Sequence, residues 1–559
     1  MNCIRRDINW KKKSRVRGQP SDTFTERWNI VVKKLSRYLE KCIYIVSFIV
    51  IFWIMFLLLF FSNTLKYACK KEFVFSNLVI FNVFLIILLM YFIIKNKFRI
   101  KICNLNLDKI VKICSIVFFF IQLYISYNIF FETGWDSGGA IVPAARTLLN
   151  NGNVAPLNDS YFSLYPNNLF LVNIYYLILK INKSVGIFYG ENQLMAIVVF
   201  NCAISSITCW LIYLIGKQIK GNKYAFIGYV LSLALIGISP WMVVCYSDSF
   251  VLFVPITILY VYTNKKIPCV LKYTIIYVMG YLGYCIKPQA IIVVVGIVIV
   301  DFITFLRKND RKALLKGFLG VVISVVLIIL LSKGLNILYQ REGFETNSDK
   351  TFGLSHFFMM GLNPERLGVW SGEDVDISLG CKNQDERVKK NIEVSKERLK
   401  KFGGYGYLKF LSKKMLTNYN DGTFAWGEEG GFYFIQVDDR NEQISMRLKA
   451  TYYNDGAHFW LYSLGAQFVW IITLTLVTVA TITSLFIHKR RDSQYLIIIL
   501  SILGITLFEL LFEARARYLY LYIPVFVLAA IYGISDIDIY VFGRKKDEKA
   551  NIIYSDTLL

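Results

Sequence analysis

Paired cysteines are missing from this chain. Its eleven cysteines stand singly, most within apolar runs, with no C-x-x-C pair and only Cys381 in the largest polar segment. That pattern excludes a disulfide framework or a cysteine metal cluster. Histidine is scarcer still, at three residues in 559. His488 falls in a basic loop, His458 ends the large polar segment and His356 lies near its start, and none has a second ligand at metal-binding spacing. No internal repeat is present, nor any low-complexity tract beyond a basic N-terminal arm. No small-residue cleavage site follows the first apolar run, Cys42–Phe61, so the run reads as a retained helix and not a removed signal peptide.

Acidic residues are also in deficit, with 39 Asp and Glu against 63 Lys and Arg and a formal net charge of +24. In a soluble protein this would suggest nucleic acid, but the distribution argues otherwise. Residues 1–41 carry 12 basic and 4 acidic residues, whereas residues 340–459 carry 17 and 18. The excess lies in the arm and in short loops, as the positive-inside rule requires, and no nucleic-acid partner is expected.

What is abundant is apolar sequence: 55% of residues are hydrophobic and 16% aromatic. Runs at about 42–61, 74–95, 111–131, 193–216, 223–240, 246–262, 268–285, 288–306, 316–338, 460–487, 494–512 and 516–535 predict an α-helical polytopic membrane protein with about twelve spans. A thirteenth stretch, Asn168–Ile181, is short and carries Asn173. The basic loops at 95–101, 216–223, 264–266, 307–312 and 488–492 share one side of the membrane only if this stretch does not cross. It therefore reads as a helix in or near the interface.

The organisation follows. Residues 1–41 form a basic cytoplasmic arm, 42–95 a transmembrane hairpin and 111–338 a transmembrane core. That core holds an outer loop, 132–192, with interfacial helices. Residues 340–459 predict a small mixed extracytoplasmic domain, 460–535 the last spans and 536–559 a cytoplasmic tail.

The candidate chemistry gathers at outer ends of spans. Asp136 stands in G-W-D-S-G beside Trp135, a usual interface anchor, and reads either as the cap of a helix starting near Ser137 or as a reactive carboxylate. Y-F-S-L-Y-P-N-N-L-F (161–170) offers Tyr165 and its neighbouring tyrosine for stacking on a sugar, and Asn167 and Asn168 for its hydroxyls. A Pro-Asn turn starting the next helix is the alternative. Asp248, in Y-S-D-S-F, is an ionisable residue near membrane depth, fit for a ligand contact or a solvated loop. Lys287, Arg515 and Arg517 are cations on the side that the positive-inside rule disfavours, which suits an anionic ligand or lipid phosphate. Glu513 could pair with Arg517 one helical turn later. His356 could reach the membrane face from the start of the large polar segment.

In this order the features resemble the GT-C superfamily of integral-membrane glycosyltransferases, especially its protein O-mannosyltransferase and aminoarabinose-transferase branch. W-D-S-G-G-A-I-V-P-A-A-R-T-L-L-N-N-G (135–152) and Y-P-N-N-L-F (165–170) follow that family's outer aspartate, amphipathic A-R-x-L-L-x-x-G stretch and proline-led interfacial helix. S-P-W-x(4)-Y-S-D-S, I-K-P (286–288) and R-A-R-Y-L-Y-L-Y-I-P (515–524) look like its later turns, so the likeness runs from residue 111 to about 535. Ser137 stands where many relatives carry a glutamate.

The resemblance implies sugar transfer, usually with inversion, from a polyprenyl-phosphate donor to a glycan, lipid or protein acceptor at the extracytoplasmic face of the cell membrane. Asp136 would be the general base, and Lys287, Arg515 and Arg517 would hold the donor phosphate. Trp135, Tyr165, Asn167, Asn168, Asp248 and His356 would bind substrate, and grooves between spans the prenyl tail. Whether Asp248 or His356 helps hold a divalent metal is left open. Two other classes remain in view. A twelve-span transporter or lipid-linked-glycan flippase usually shows repeats and charges at mid-membrane. An assembly protein would use the polar segment as a binding module.

Overall fold

Twelve apolar runs must satisfy their backbone hydrogen bonds without water, and the helix does this within one segment. The computed structural model describes residues 21–62, 75–98, 106–426, 433–436, 442–487 and 492–540. All twelve runs lie on helices. Among the described residues, nine helices are long and apolar enough to cross a membrane, and three shorter apolar helices, Asn77–Tyr91, Asn222–Gly237 and Ser247–Thr263, cover the remaining runs. The basic arm up to residue 20, loop residues 99–105, His488–Arg491 and the chain beyond 540 lie outside the described residues. The eight described cysteines are all free thiols.

Between apolar helices in lipid there is little hydrophobic drive, so close packing at small residues has to hold the bundle together. The last helix, Ile523–Tyr540, is its centre, with nearly every residue from Ile523 to Tyr532 fully buried. A Cβ added at Gly533 would lie 2.0 Å from the Leu476 carbonyl oxygen, so the helix Phe459–Ile482 approaches at a distance only glycine permits. This helix also extends past the expected end of the last span at 535. Asp538 accepts from Lys223 Nζ at 2.9 Å and from the Tyr224 hydroxyl at 2.7 Å, and Asp536 accepts from Thr483, so residues 536–540 belong to the packed bundle.

Charges mark the two ends of the bundle. Asp108–Lys217 at 2.7 Å and Lys223–Asp538 at 2.9 Å join helix termini at one end, and Arg307, near a helix end, pairs at 2.7 Å with Glu40 in the middle of the helix Ser21–Phe60. The chain segments around residues 129–136, 239–248, 286–289 and 512–518 meet at the other.

At that second end, the stretch expected to lie in the interface is a 17-residue helix, Leu169–Val185. It is not among the helices long and apolar enough to cross, and it packs on the short helix Val142–Leu149. The described residues within 340–459 are mostly helical and pack on the bundle. A 36-residue helical stretch, Gln384–Tyr419, bends at Gly403. The single described strand here, Tyr433–Gln436, pairs antiparallel with Phe131–Thr133 in the register Phe131 to Gln436 and Glu132 to Ile435. The first outer loop therefore supplies the partner this strand needs.

Gly533→Ala should lower stability by about 2 kcal/mol through overpacking against the Leu476 carbonyl. The check is the thermal unfolding midpoint in detergent, with a control alanine at Gly465, where an added Cβ meets nothing within 4 Å.

Candidate functional site

The strand Phe131–Thr133 delivers the chain to Asp136 through a tight bend. Trp135 adopts φ +53°, a left-handed conformation that costs a non-glycine residue about 1–3 kcal/mol and that clusters at functional sites. Gly138 follows, where a Cβ would sit 2.3 Å from the Thr133 carbonyl oxygen. Ser137 donates to the Cys245 carbonyl, and Cys245 N–H donates to Thr133 Oγ1 at 3.1 Å, so the bend is tied to the distant turn at 239–248. Arg146 closes the other side with a 2.6 Å bond to Glu132.

Held this way, Asp136 does not cap the π-helical turn Ser137–Ile141 that it precedes. Its Oδ2 instead accepts from the Tyr246 hydroxyl at 3.0 Å. The Tyr161 hydroxyl lies within reach of the same charge and is itself fixed by Asn168 Nδ2 at 2.6 Å. Burial, and then the Asp136 charge, raise the pKa of the Tyr161 hydroxyl. Burial, with Tyr161 and Asp136, does the same at Tyr246. Both phenols therefore stay protonated beside the carboxylate, and Tyr246 donates to it.

The cations converge on the same rings. The Arg517 guanidinium lies 5.3 Å from the Trp135 ring centre, 5.5 Å from Tyr246 and 5.5 Å from Tyr518. Arg515 lies 5.8 Å from Trp135 and bonds Glu513 Oε1 at 2.9 Å. Glu513 therefore pairs with Arg515 and with the Tyr518 hydroxyl, at 3.0 Å, and not with Arg517 as helical spacing suggested. The chain leaves the helix after Leu511 and resumes at Ala516, so residues 513 and 517 do not share one continuous helix face. Lys287 is 95% buried, in an ion pair with fully buried Asp248, and sits 4.4 Å from the Tyr518 ring centre.

The remaining expected residues divide. The Tyr165 ring lies 5.1 Å from that of Tyr161, tilted by 39°, and burial, then the Asp136 and Glu513 charges, raise the pKa of its hydroxyl. Asn168 is buried beside Tyr161, whereas Asn167 is exposed and reaches only Asn168, at 3.4 Å. His356 is fully buried within the polar segment: it stacks 4.0 Å from Phe352, and its Nδ1 is 2.7 Å from Ser378 Oγ. Phe352 in turn meets Tyr165 edge-on at 5.5 Å, so His356 reaches the site through two rings. Among the described residues no group of three or more His, Cys, Asp or Glu side chains is placed to hold a metal ion.

Sequence reasoning passed over Tyr246, Tyr518 and Glu132 as individual site residues. The signal available for Tyr246 was its place in Y-S-D-S, two residues before Asp248. Across known proteins, a family model described as a conserved hypothetical integral membrane protein matches residues 35–537. No curated protein and no solved structure matches.

Burial pushes the His356 pKa down to about 4, below the ~6.5 of an unfolded chain. Unfolded protein therefore binds the proton first, and this contribution to stability is complete above about pH 6.5 and falls away toward pH 4. Stability should fall between pH 7 and pH 5 by on the order of 2 kcal/mol, read as a lower thermal midpoint in detergent. His356→Gln should flatten that slope; an unchanged slope would show that the histidine is not responsible.

Proposed function

The chain belongs to this family of conserved hypothetical integral membrane proteins, and we propose that it is a glycosyltransferase moving a sugar from a polyprenyl-phosphate donor to a glycan, lipid or protein acceptor at the extracytoplasmic face. One observation carries the reading. The Tyr246 hydroxyl donates to the Asp136 carboxylate while its ring flanks the Arg517 guanidinium, which puts a base and an anion-binding cation on one side chain.

In this reading the acceptor hydroxyl gives its proton to Asp136 as its oxygen bonds to the anomeric carbon. The sugar–phosphate bond breaks on the opposite face, and its electron pair leaves with the lipid phosphate. A phosphate leaving group needs no proton, so one carboxylate suffices. That agrees with Ser137, whose hydroxyl is committed to the Cys245 carbonyl. Arg517, with Arg515 beside it, would face the charge that develops on the leaving group. Trp135 supports both guanidinium groups, so its strained backbone serves the arginines as well as the carboxylate. Lys287 acts from further inside, its charge already shared with Asp248. The transporter alternative is less well served, because these charges collect at one end of the bundle.

Asp136→Asn should reduce sugar transfer from a polyprenyl-phosphate donor in membranes by about 10²–10⁴-fold at unchanged protein level. Transfer at the wild-type rate would remove Asp136 from the chemistry. Tyr246→Phe should cost about tenfold by loosening the carboxylate. Wild-type protein that moves solute or lipid across the bilayer and transfers no sugar would decide for the transporter.

A further inference from the structure

The stretch that carries Tyr161 and Tyr165 has a second side. Those two residues, four apart, lie within reach of the Asp136 charge. Ser160 and Leu164, also four apart, instead line a cavity of about 360 Å³ against the large polar segment. Three hydrogen bonds close the seam: Asn347 N–H to Ser163 Oγ at 2.9 Å, Thr351 Oγ1 to the Ser163 carbonyl at 2.9 Å and Phe352 N–H to the Leu164 carbonyl at 3.1 Å. One strip of chain thus separates the candidate site from the cavity.

Cations outnumber acids in the lining, with Lys350, Lys382 and Arg387 against Asp349. Arg387 is built in. It is only 2% exposed, its Nε donates to the Ser378 carbonyl at 2.9 Å, and its Nη1 donates to the Asp349 carbonyl at 2.5 Å and to Gln384 Oε1 at 2.6 Å. Among the described residues these partners are neutral oxygens, which tie the walls together without cancelling the charge. A cation desolvated in this way acts strongly on an anion entering the cavity beside it. Glu386, the acid that precedes Arg387, accepts from the Lys382 backbone N–H at 2.9 Å and does not line the cavity. Apart from two leucines and Cys381 the lining is polar, which suits an acidic sugar or sugar phosphate and not an acyl chain.

We propose that this cavity binds a phosphate or carboxylate group of the glycan acceptor and anchors that acceptor beside the strip carrying Tyr161 and Tyr165. The protein then selects acidic polymers over neutral ones. That the ligand is an acceptor rests on the glycosyltransferase reading; the anion site does not.

Cys381, half-buried in the lining, reports on the cavity. In purified full-length protein in detergent, an anionic methanethiosulfonate should modify Cys381 about tenfold faster than a cationic one, each relative to its rate with free cysteine. Mass spectrometry of the Cys381 peptide gives the rates. Inorganic phosphate at constant ionic strength should slow the modification by about threefold or more. Lys350→Gln combined with Lys382→Gln should abolish both effects and leave the thermal midpoint within a few degrees. In membranes the same double variant should transfer about tenfold less sugar to the acidic polymer fraction. Equal relative rates for the two reagents in the wild type, or no protection by phosphate, would overturn the proposal. Protection by phosphatidylglycerol vesicles but not by inorganic phosphate would give the cavity to lipid and overturn it as well. A double variant that loses both effects yet glycosylates acidic polymer at the wild-type rate overturns the acceptor assignment. Wild-type protein that shows both effects but transfers no sugar keeps the anion site and overturns the glycosyltransferase reading instead.

Discussion

The buried ion pair between Lys287 and Asp248 is the constraint around which one end of the bundle is arranged. Two charges removed from water at the end of an apolar bundle persist only as partners, and losing either one leaves the other stranded. Their helices, Ser247–Phe250 and Cys269–Ile286, are thereby pinned to each other just beneath Tyr518. Above that pin, the turn at Tyr246 meets the bend at Asp136, and the arginine segment closes over both. The other end of the bundle obeys the same constraint with a different result. There Asp108, Glu40 and Asp538 take up lysines and an arginine near helix termini, in pairs that stay partly open to solvent.

The tyrosines give the site its character. Tyr246 holds Asp136 by a hydroxyl that burial keeps protonated, with Tyr161 protonated beside it, while Tyr246 and Tyr518, with Trp135, receive guanidinium groups on their faces. One class of side chain therefore handles both signs of charge, a donor at its tip and a quadrupole on its face. The strained backbone at Trp135 is consistent with this economy, because the ring must lie under two arginines while the next residue points to two phenols.

Much of the bundle was legible because lipid imposes a simple rule on sequence: an apolar run of sufficient length becomes a helix. The 17-residue helix Leu169–Val185 was legible from its apolar run and from the Pro-Asn turn that starts it. Asp136 and the arginines stood out as charges in unexpected places. Their partners did not. Asp136 and Tyr246 are 110 residues apart, and Ser137 reaches the Cys245 carbonyl across 108. No local spacing encodes contacts of that kind. Helical spacing also misassigned Glu513, because the chain breaks between it and Arg517. The helix-cap reading of Asp136 failed for a similar reason: the bend aims its side chain at Tyr246 and away from the following turn.

The short ladder between Phe131–Thr133 and Tyr433–Gln436 has a mechanical meaning. Asp136 lies three residues beyond that ladder, and Trp135 leaves little slack between them. The place of Asp136 therefore depends on a segment far along the chain. A change within Tyr433–Gln436 that broke the ladder would free the strand leading to the carboxylate without touching any side chain around it.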